Sequence, residues 1–372
     1  MGTSRRRYES EIPELNDQIE ALVGRAREIY GTAGDSDHIR QVIVSALRLM
    51  RDGSTTGDSK LVNSSLKELR HAFRVFSPYR NIRKVAVFGS ARTISDHPDW
   101  TAAYSFSERM AELGWMTITG AGEGIMRAAN GGAGRAASFG VNIRLPMEQR
   151  ANEVIHGDQK LINFRYFFTR KLMFVKEAHA IALFPGGFGT HDEGFEALTL
   201  IQTGKSDVLP VIFVDSPGGS YWRDWEEYVL THLRDRKLID DEDLALFRVT
   251  DDVEEAVQEV VGFYDNYHSS RYVGSDLIIR VQQPPDDAQL EQLNVDFSDL
   301  LTSGRIELAP AAQAEVLPRI KMRFNRRNVG RLRQFIDRLN ALVSEHSPPD
   351  QALPPQVLER PLTPEAEREE RD

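Results

Sequence analysis

A glycine-rich run beside a carboxylate is the feature of this sequence best suited to chemistry. The run Pro185-Gly186-Gly187-Phe188-Gly189-Thr190 follows the apolar segment 180–184, which predicts a buried strand, and precedes segment 192–202, which predicts a helix. Glycines let the backbone approach a phosphate closely, and a helix N-terminus presents N–H groups to it. Glu193 stands three residues after Thr190. A carboxylate beside a bound phosphate costs energy, so Glu193 is a candidate catalytic group.

Three of these residues also have structural explanations. Thr190 is a typical N-cap residue, so its hydroxyl either caps the helix or binds a phosphate. Glu193 in a first helical turn either interacts favourably with the helix dipole or forms a capping box with Thr190. His191 is either an acid–base helper or a first-turn residue that faces solvent, and we expect the second.

Two more glycine-rich turns follow predicted strands. Gly89-Ser90-Ala91-Arg92 supplies backbone donors and two polar side chains, or is simply a turn with a surface arginine. Gly120-Ala121-Gly122-Glu123-Gly124-Ile125-Met126 lacks the G-x-G-x-x-G spacing, and no acidic residue marks a ribose site about 20 residues later, which disfavours a nicotinamide cofactor. Tight strand–helix packing would also explain these glycines. Three such turns at one sheet edge nevertheless favour a ligand site.

A basic helix is predicted directly before the strand at 180–184. It covers 164–178 and carries Arg165, Arg170 and Lys171. Its apolar residues fit core packing better than a cofactor site: Tyr166, Phe167, Leu172, Met173 and Phe174. The pair Arg170 and Lys171 is either solvated or directed toward the glycine-rich run that follows.

An alternation of strands and helices beginning near residue 83 would position these turns. Strands are predicted at 84–89, 115–119, 139–145, 180–184, 209–214 and 247–249. Helices are predicted at 100–113, 124–137, 164–178, 221–236 and 253–267. This pattern predicts an α/β fold, a Rossmann-like doubly wound parallel sheet with helices on both faces. Ligands bind such sheets beyond the carboxyl ends of the strands, where the glycine-rich turns lie.

The chain is predicted to have four regions. Residues 1–80 form an N-terminal helical region with a loop at 52–58 and a helix at 65–76, and residues 81–270 form the catalytic domain. Residues 271–345 form a small α+β unit, with strands at 276–282, 305–308 and 319–324 and helices at 287–301 and 328–343. Residues 346–372 are rich in Pro, Glu and Arg, which predicts a disordered tail.

Composition disfavours several classes of protein. The 372 residues carry a formal charge of −10, which argues against a general nucleic-acid-binding protein. The sequence contains no cysteine, so it has neither a disulfide framework nor a thiolate metal site. Its apolar runs are shorter than the about 18 residues of a membrane span, and its first residues lack a signal-peptide core. We expect a soluble cytoplasmic protein that needs no metal or cofactor and binds neither nucleic acid nor a membrane.

These motifs together resemble the LOG ("lonely guy") family of nucleotide 5′-monophosphate phosphoribohydrolases, whose members are sometimes mislabelled lysine decarboxylases. The resemblance rests on Arg170-Lys171, the run at 185–190 and Glu193. The turns at 89–92 and 120–126 also fit, as does Asn142-Ile143-Arg144-Leu145-Pro146. The resemblance covers about residues 80–265, and the flanking regions are similar to those of longer bacterial nucleosidases. His191 and Gly194 stand where similar proteins usually carry leucine.

The family resemblance implies catalytic roles for Arg170 and Glu193. It also implies a set of substrate-binding residues: Gly89, Ser90, Arg92, Gly122, Gly124, Met126, Lys171, Gly186, Gly187, Gly189 and Thr190. It further implies a homo-oligomer, at least a dimer, with the helices that bear Arg170 near the interface.

The predicted reaction is hydrolysis of the N-glycosidic bond of a nucleoside 5′-monophosphate to a free base and ribose 5-phosphate. Such a reaction passes through an oxocarbenium-like centre, which a carboxylate stabilises while it activates water. AMP is the first choice of substrate, and a cytokinin riboside monophosphate is the alternative. A non-catalytic nucleotide sensor or carrier would use the same phosphate site without needing Arg170 and Glu193 together. A lysine decarboxylase is disfavoured, because Lys171 lacks an evident partner for pyridoxal phosphate.

Overall fold

The computed structural model describes residues 8–31, 36–144, 150–310 and 317–344. The chain divides into two compact units, with the boundary after residue 70. The first unit is helical, as predicted, and contains α1 (Pro13–Tyr30), α2 (Ser36–Arg51) and most of α3 (Thr56–Phe76). Its apolar core is a cluster of Ile19, Val23 and Val44.

Helix α3 begins at Thr56 rather than near residue 65. The segment 52–58 resembles a loop by composition, but Thr55 and Asp58 exchange hydrogen bonds. The Thr55 N–H donates to the Asp58 carboxylate (2.8 Å), and the Asp58 N–H donates to the Thr55 hydroxyl (3.2 Å). This reciprocal pattern is a capping box, so the polar residues that predicted a loop here start a helix.

The second unit is built on a parallel sheet of seven strands, which confirms the predicted fold class. The strands are β1 (Lys84–Phe88), β2 (Met116–Thr119), β3 (Ser138–Ile143), β4 (Leu161–Phe164), β5 (Ala180–Leu183), β6 (Val211–Val214) and β7 (Arg248–Thr250). Strands β1, β2, β5 and β6 are buried along their whole length, as the apolar runs in the sequence indicate. The edge strand β4 was not predicted, because it is short and keeps Asn163 exposed.

The strand order is β4-β3-β2-β1-β5-β6-β7. The helices between and beyond the strands are α4 (Pro98–Glu112), α5 (Ile125–Ala133), α6 (Phe167–Glu177), α7 (Phe188–Gln202), α8 (Tyr221–Tyr228) and α9 (Val253–Gly262). The chain runs outward from β1 to β4 on one side and returns to β5 on the other side of β1. The crevice beyond the carboxyl ends of β1 and β5 is therefore the topological switch point, where ligands bind in sheets of this kind.

A small antiparallel sheet with two helices follows the parallel sheet, as the C-terminal pattern predicts. It contains β8 (Tyr267–Val273), β9 (Asp276–Val281), β10 (Glu307–Leu308) and β11 (Arg319–Met322) in the order β10-β11-β9-β8, with α10 (Asp287–Asp296) and α11 (Val329–Ser344). Strand β8 was not predicted, since residues up to 267 were assigned to a helix that ends at Gly262. The predicted tail at 346–372 lies outside the described residues.

Helix α11 joins this sheet to the rest of the second unit. The buried Asn340 side chain accepts the N–H groups of Asn266 (3.1 Å) and Tyr267 (2.8 Å) and donates to the Phe263 carbonyl (2.8 Å). Arg333 pairs with Glu259 on α9 at 2.5 Å. These contacts make the C-terminal segment part of the same compact unit.

The described residues contain neither a helix suited to a membrane nor a cluster of side chains suited to a metal ion. No helix within 8–31, 36–144, 150–310 and 317–344 is long and apolar enough to cross a membrane. The same ranges hold no group of three or more His, Asp or Glu side chains arranged to bind a metal ion.

Candidate active site

A cleft of about 830 Å³ opens beyond the carboxyl ends of β1 and β5. Most of the residues that the sequence predicts for the site line it: Gly89, Ser90, Arg92, Met126, Arg170, Gly186, Gly187, Gly189, Thr190 and Glu193. Three predicted residues, Gly122, Gly124 and Lys171, lie beside the cleft without lining it. Residues from three separate glycine-rich turns thus meet at the switch point of the sheet.

Backbone hydrogen bonds join the three turns. The Ser90 N–H donates to the Pro185 carbonyl (3.1 Å), which ties the turn after β1 to the turn after β5. The Ser90 carbonyl accepts the N–H of Ile125 (3.0 Å), the first residue of α5. The backbone of Ser90 therefore links its own turn to each of the other two.

Close packing explains some of the glycines. A Cβ atom on Gly186 would lie 2.1 Å from the Thr190 hydroxyl oxygen, and one on Gly124 would lie 2.2 Å from the Ser90 carbonyl oxygen. A Cβ atom on Gly122 would lie 2.6 Å from the Met126 methyl group. By contrast, no atom lies within 4 Å of a Cβ built on Gly187 or Gly189. Packing against backbone and Cβ atoms therefore explains Gly186 and Gly124, whereas the flexible Met126 side chain could move away from Gly122. Gly187 and Gly189 border open space in the cleft.

Helix α7 begins at Phe188, four residues before the predicted start at 192. Gly187 is its N-cap residue, and the Gly187 carbonyl accepts the N–H groups of Thr190 (3.0 Å) and His191 (3.2 Å). Of the two alternatives for Thr190, the N-cap role is wrong, and so is the capping box with Glu193. A glycine N-cap has no side chain to cap with, so the sequence offered Thr190 as the nearest alternative. The leading amides of α7 have no intrahelical acceptor.

Arg170 and Glu193 meet at the inner end of the cleft. Arg170 Nη2 lies 3.5 Å from Glu193 Oε1, the outer limit of a hydrogen bond, and Glu193 is only 7% exposed. Burial raises the pKa of Glu193 to about 7, against the opposing effect of the nearby Lys171 and Arg170 cations. Burial also lowers the pKa of Arg170. A carboxylate with a pKa near neutrality can accept and release protons at physiological pH.

Lys171 lies among three acidic side chains of α7. Its ammonium group lies 2.8 Å from Asp192, 2.7 Å from Glu196 and 3.9 Å from Glu193 Oε2. Although burial alone would lower it, the hydrogen bonds to Asp192 and Glu196 raise the pKa of Lys171. Lys171 is therefore a fixed cation that biases Glu193 toward ionisation. Arg165, predicted on the basic helix, precedes α6, which begins at Phe167.

His191 and Tyr221 line the cleft, although the sequence predicted neither as a site residue. The Tyr221 hydroxyl donates to the Gly186 carbonyl (2.5 Å), and His191 Nε2 lies 2.7 Å from the same hydroxyl. His191 stands in the first turn of α7, as expected, but its ring is half-buried and packs 5.3 Å from that of Trp222. The sequence carries no signal for Tyr221, which joins the site from α8 only through the fold.

Comparison with known proteins gives one family match. A family model described as "Possible lysine decarboxylase" matches residues 123–260, which contain Arg170, Glu193 and the glycine-rich run at 185–190. This match confirms the family resemblance found in the sequence. No curated protein matches the chain.

Several solved structures are similar to about half of the chain. The molybdenum cofactor binding protein of Rippkaea orientalis is 20% identical, with 48% of this chain and 94% of that chain covered and a TM-score of 0.34. The molybdenum cofactor carrier protein of Chlamydomonas reinhardtii is 18% identical, with coverage of 48% and 98% and a TM-score of 0.33. The protein TM1055 is 23% identical, with coverage of 48% and 97% and a TM-score of 0.35.

Proposed function

We propose that the chain hydrolyses the N-glycosidic bond of a nucleoside 5′-monophosphate, as its resemblance to the LOG family and the family match over residues 123–260 suggest. The products would be a free base and ribose 5-phosphate. AMP is the first candidate substrate, and a cytokinin riboside monophosphate is the second. The observation that carries this proposal is the buried Arg170–Glu193 pair, 3.5 Å apart, at the inner end of a cleft lined by glycine-rich turns.

The phosphate is proposed to bind at the start of α7. The amides of Phe188 and Gly189 come first in the helix and have no intrahelical acceptor, and the helix dipole favours an anion there. The open space at Gly187 and Gly189 admits the phosphate oxygens. Ser90 and Arg92, on the facing turn, add side-chain donors. Binding energy from the phosphate then holds the ribose in place for reaction.

Glu193 is proposed to act on the ribose carbon that carries the base. As the bond between this carbon and the base nitrogen breaks, the sugar acquires positive charge, which the carboxylate stabilises. Glu193 also accepts a proton from the attacking water, whose oxygen forms the new bond to the sugar carbon. The base leaves with the electrons of the broken bond and takes up a proton. Arg170 would hold the carboxylate in position for both tasks.

The same residues argue against the alternatives. A nucleotide sensor or carrier would gain nothing from a carboxylate buried beside its anion site, because the charge opposes phosphate binding. A lysine decarboxylase needs a lysine that can become neutral and bind pyridoxal phosphate, whereas Lys171 is held as a cation between Asp192 and Glu196.

Incubation with a panel of nucleoside monophosphates, with chromatography of the free base, tests the proposal. We expect AMP or a related nucleotide to be cleaved, and adenosine to be a far poorer substrate in both kcat and KM, because it lacks the phosphate. Tight binding of a nucleotide without release of any base would instead identify a carrier or sensor. Equal kcat/KM for AMP and adenosine would contradict the proposed phosphate site.

A homo-oligomer is proposed as well. Helix α6, which carries Arg170, exposes Phe167 (52%), Phe168 (55%) and Leu172 (51%). Large apolar side chains exposed together often mark a contact between subunits. Light scattering on the full chain tests this proposal, and a monomeric mass at micromolar concentration would contradict it.

A further inference from the structure

Tyr221 and His191 form a hydrogen-bonded chain that ends on the glycine-rich turn. The Tyr221 hydroxyl directs its proton to the Gly186 carbonyl, so the neutral His191 ring must donate to the tyrosine oxygen from Nε2. Burial lowers the pKa of His191, which keeps the ring neutral near pH 7. The two hydrogen bonds therefore run in one direction, from His191 through Tyr221 to Gly186.

Contacts at the start of α8 position Tyr221 for these hydrogen bonds. It is the first residue of α8, and the next amide, that of Trp222, donates to the buried Asp215 carboxylate directly after β6 (2.9 Å). The Trp222 ring is fully buried and packs 4.7 Å from the Phe213 ring on β6. The backbone at the start of α8 is thus held against the sheet, and the Tyr221 hydroxyl reaches from there to the turn.

The Gly186–Gly187 peptide is the part of the turn that most needs fixing. A peptide between two glycines meets little steric resistance to flipping, since neither residue has a Cβ atom. In a trans peptide the carbonyl and the following N–H point in opposite directions. With the Gly186 carbonyl held by Tyr221, the Gly187 N–H points the opposite way. A flip would exchange the two groups, and a carbonyl oxygen repels a phosphate. A donor that holds the Gly186 carbonyl therefore also sets the direction of the Gly187 N–H.

We propose that His191 and Tyr221 are positioning residues that lock the Gly186–Gly187 peptide with its N–H toward the phosphate of the ligand. This inference rests on the proposed function, because it assumes that a phosphate ester occupies the start of α7. The two residues act through the turn and need not touch the reacting atoms.

Calorimetric titration of the full chain with ribose 5-phosphate, and separately with adenine, tests the proposal. Tyr221→Phe keeps the ring and removes the hydroxyl, and we expect about tenfold weaker binding of ribose 5-phosphate. Adenine, which carries no phosphate, should bind as it does to the native protein. His191→Leu should weaken ribose 5-phosphate binding in the same way, and His191→Gln, whose side-chain amide can donate to Tyr221, should restore most of it. Tyr228→Phe, on the same helix but exposed, is the matched control.

The outcomes separate this inference from the proposed function. Native affinity for ribose 5-phosphate in Tyr221→Phe, or equal losses in His191→Gln and His191→Leu, would overturn the positioning role. A parallel loss of adenine binding would also overturn it, because it would indicate general damage to the cleft. If the native protein binds ribose 5-phosphate but releases base from no nucleotide, the proposed hydrolysis fails while the variants still decide the positioning role. Absence of ribose 5-phosphate binding in the native protein would overturn both.

Discussion

At the scale of single residues, the candidate site depends on Glu193, a carboxyl group that is buried although burial disfavours its charge. Glu193 is buried, and its pKa rises to about 7 although two cations lie close to it. Burial of a charged group is tolerated where the charge has a function, and perturbed carboxylates concentrate at active sites. The neighbouring Glu196 lies one turn further along α7, also contacts Lys171 and does not line the cleft. It is therefore a natural control for Glu193.

Replacement of Glu193 tests its catalytic role directly. Glu193→Gln should bind nucleotide but lose about 10²–10⁴-fold in kcat, the usual effect of lost acid–base assistance. In the native protein kcat/KM should rise with pH up to about 7 and then level off, because the ionised carboxylate is the active form. Glu196→Gln should retain most of the rate, but its pH profile should shift to lower pH, because the Glu196 charge helps to raise the pKa of Glu193. Turnover by Glu193→Gln close to the native rate would contradict the assignment.

The same pKa predicts how stability changes with pH, independently of any activity. A carboxyl group whose pKa is raised by folding stabilises the folded state most at pH values below its unfolded pKa. For Glu193 this stabilisation is lost as the pH rises through about 7. Glu193→Gln cannot lose this stabilisation. The Tm of the variant minus the Tm of the native protein should therefore be larger at pH 8 than at pH 5. Calorimetry at both pH values measures this difference. A constant difference would show that Glu193 titrates normally.

At the scale of elements, the turn between β5 and α7 combines two kinds of glycine. Gly186 is packed against Thr190 and against the Ser90 amide, 3.0 Å from a built Cβ, whereas Gly189 borders the open cleft. The turn therefore has one glycine that its own packing requires and one that leaves room for a ligand.

Substitutions at the two glycines should have different consequences. Gly189→Val should leave most of the native Tm but weaken ribose 5-phosphate binding, because the branched side chain occupies the space proposed for the phosphate. Gly186→Val should lower the Tm as well, since its side chain overlaps Thr190. Thermal melts with and without ribose 5-phosphate separate the two effects. Unchanged ligand affinity in Gly189→Val would argue against the proposed phosphate position.

At the scale of the whole molecule, the C-terminal α+β segment belongs to the same compact unit as the parallel sheet. Asn340 and Arg333 on α11 join it to α9 and to the residues that follow α9. The start of α11 also packs closely on the segment 241–246, since a Cβ on Gly330 would lie 2.1 Å from the Glu242 carbonyl oxygen. Regions predicted separately at 81–270 and 271–345 are thus in direct contact.

Two deletions test this arrangement. Removal of 273–372 should lower the Tm sharply or give insoluble protein, because it leaves the buried backbone groups at 263–267 without the Asn340 side chain. Removal of 347–372, the predicted tail, should leave Tm, oligomeric state and AMP hydrolysis unchanged. Thermal melts and light scattering measure the outcome. A stable, unaltered protein after the first deletion, or lost activity after the second alone, would contradict the prediction.

The sequence by itself determined the order of most strands and helices and the three glycine-rich turns. Such features follow from local composition: apolar runs predict buried strands, and glycines mark the turns that follow them. The short elements were missed for the same reason. Strand β4 has four residues and one exposed face, and β8 continues a segment with helical character, so neither has a strong local pattern.

Only the tertiary structure decided which residues share the cleft and how the helix at its centre begins. Local sequence places Thr190 at the helix N-terminus, but Gly187 takes that position because its carbonyl accepts two amides. It gives no reason to connect Tyr221 with Gly186, which is 35 residues away in the chain. It also cannot show that Arg170 lines the cleft while the adjacent Lys171 pairs with Asp192 and Glu196. These relations depend on how α7 and α8 pack on the sheet, and packing joins residues that no local pattern links.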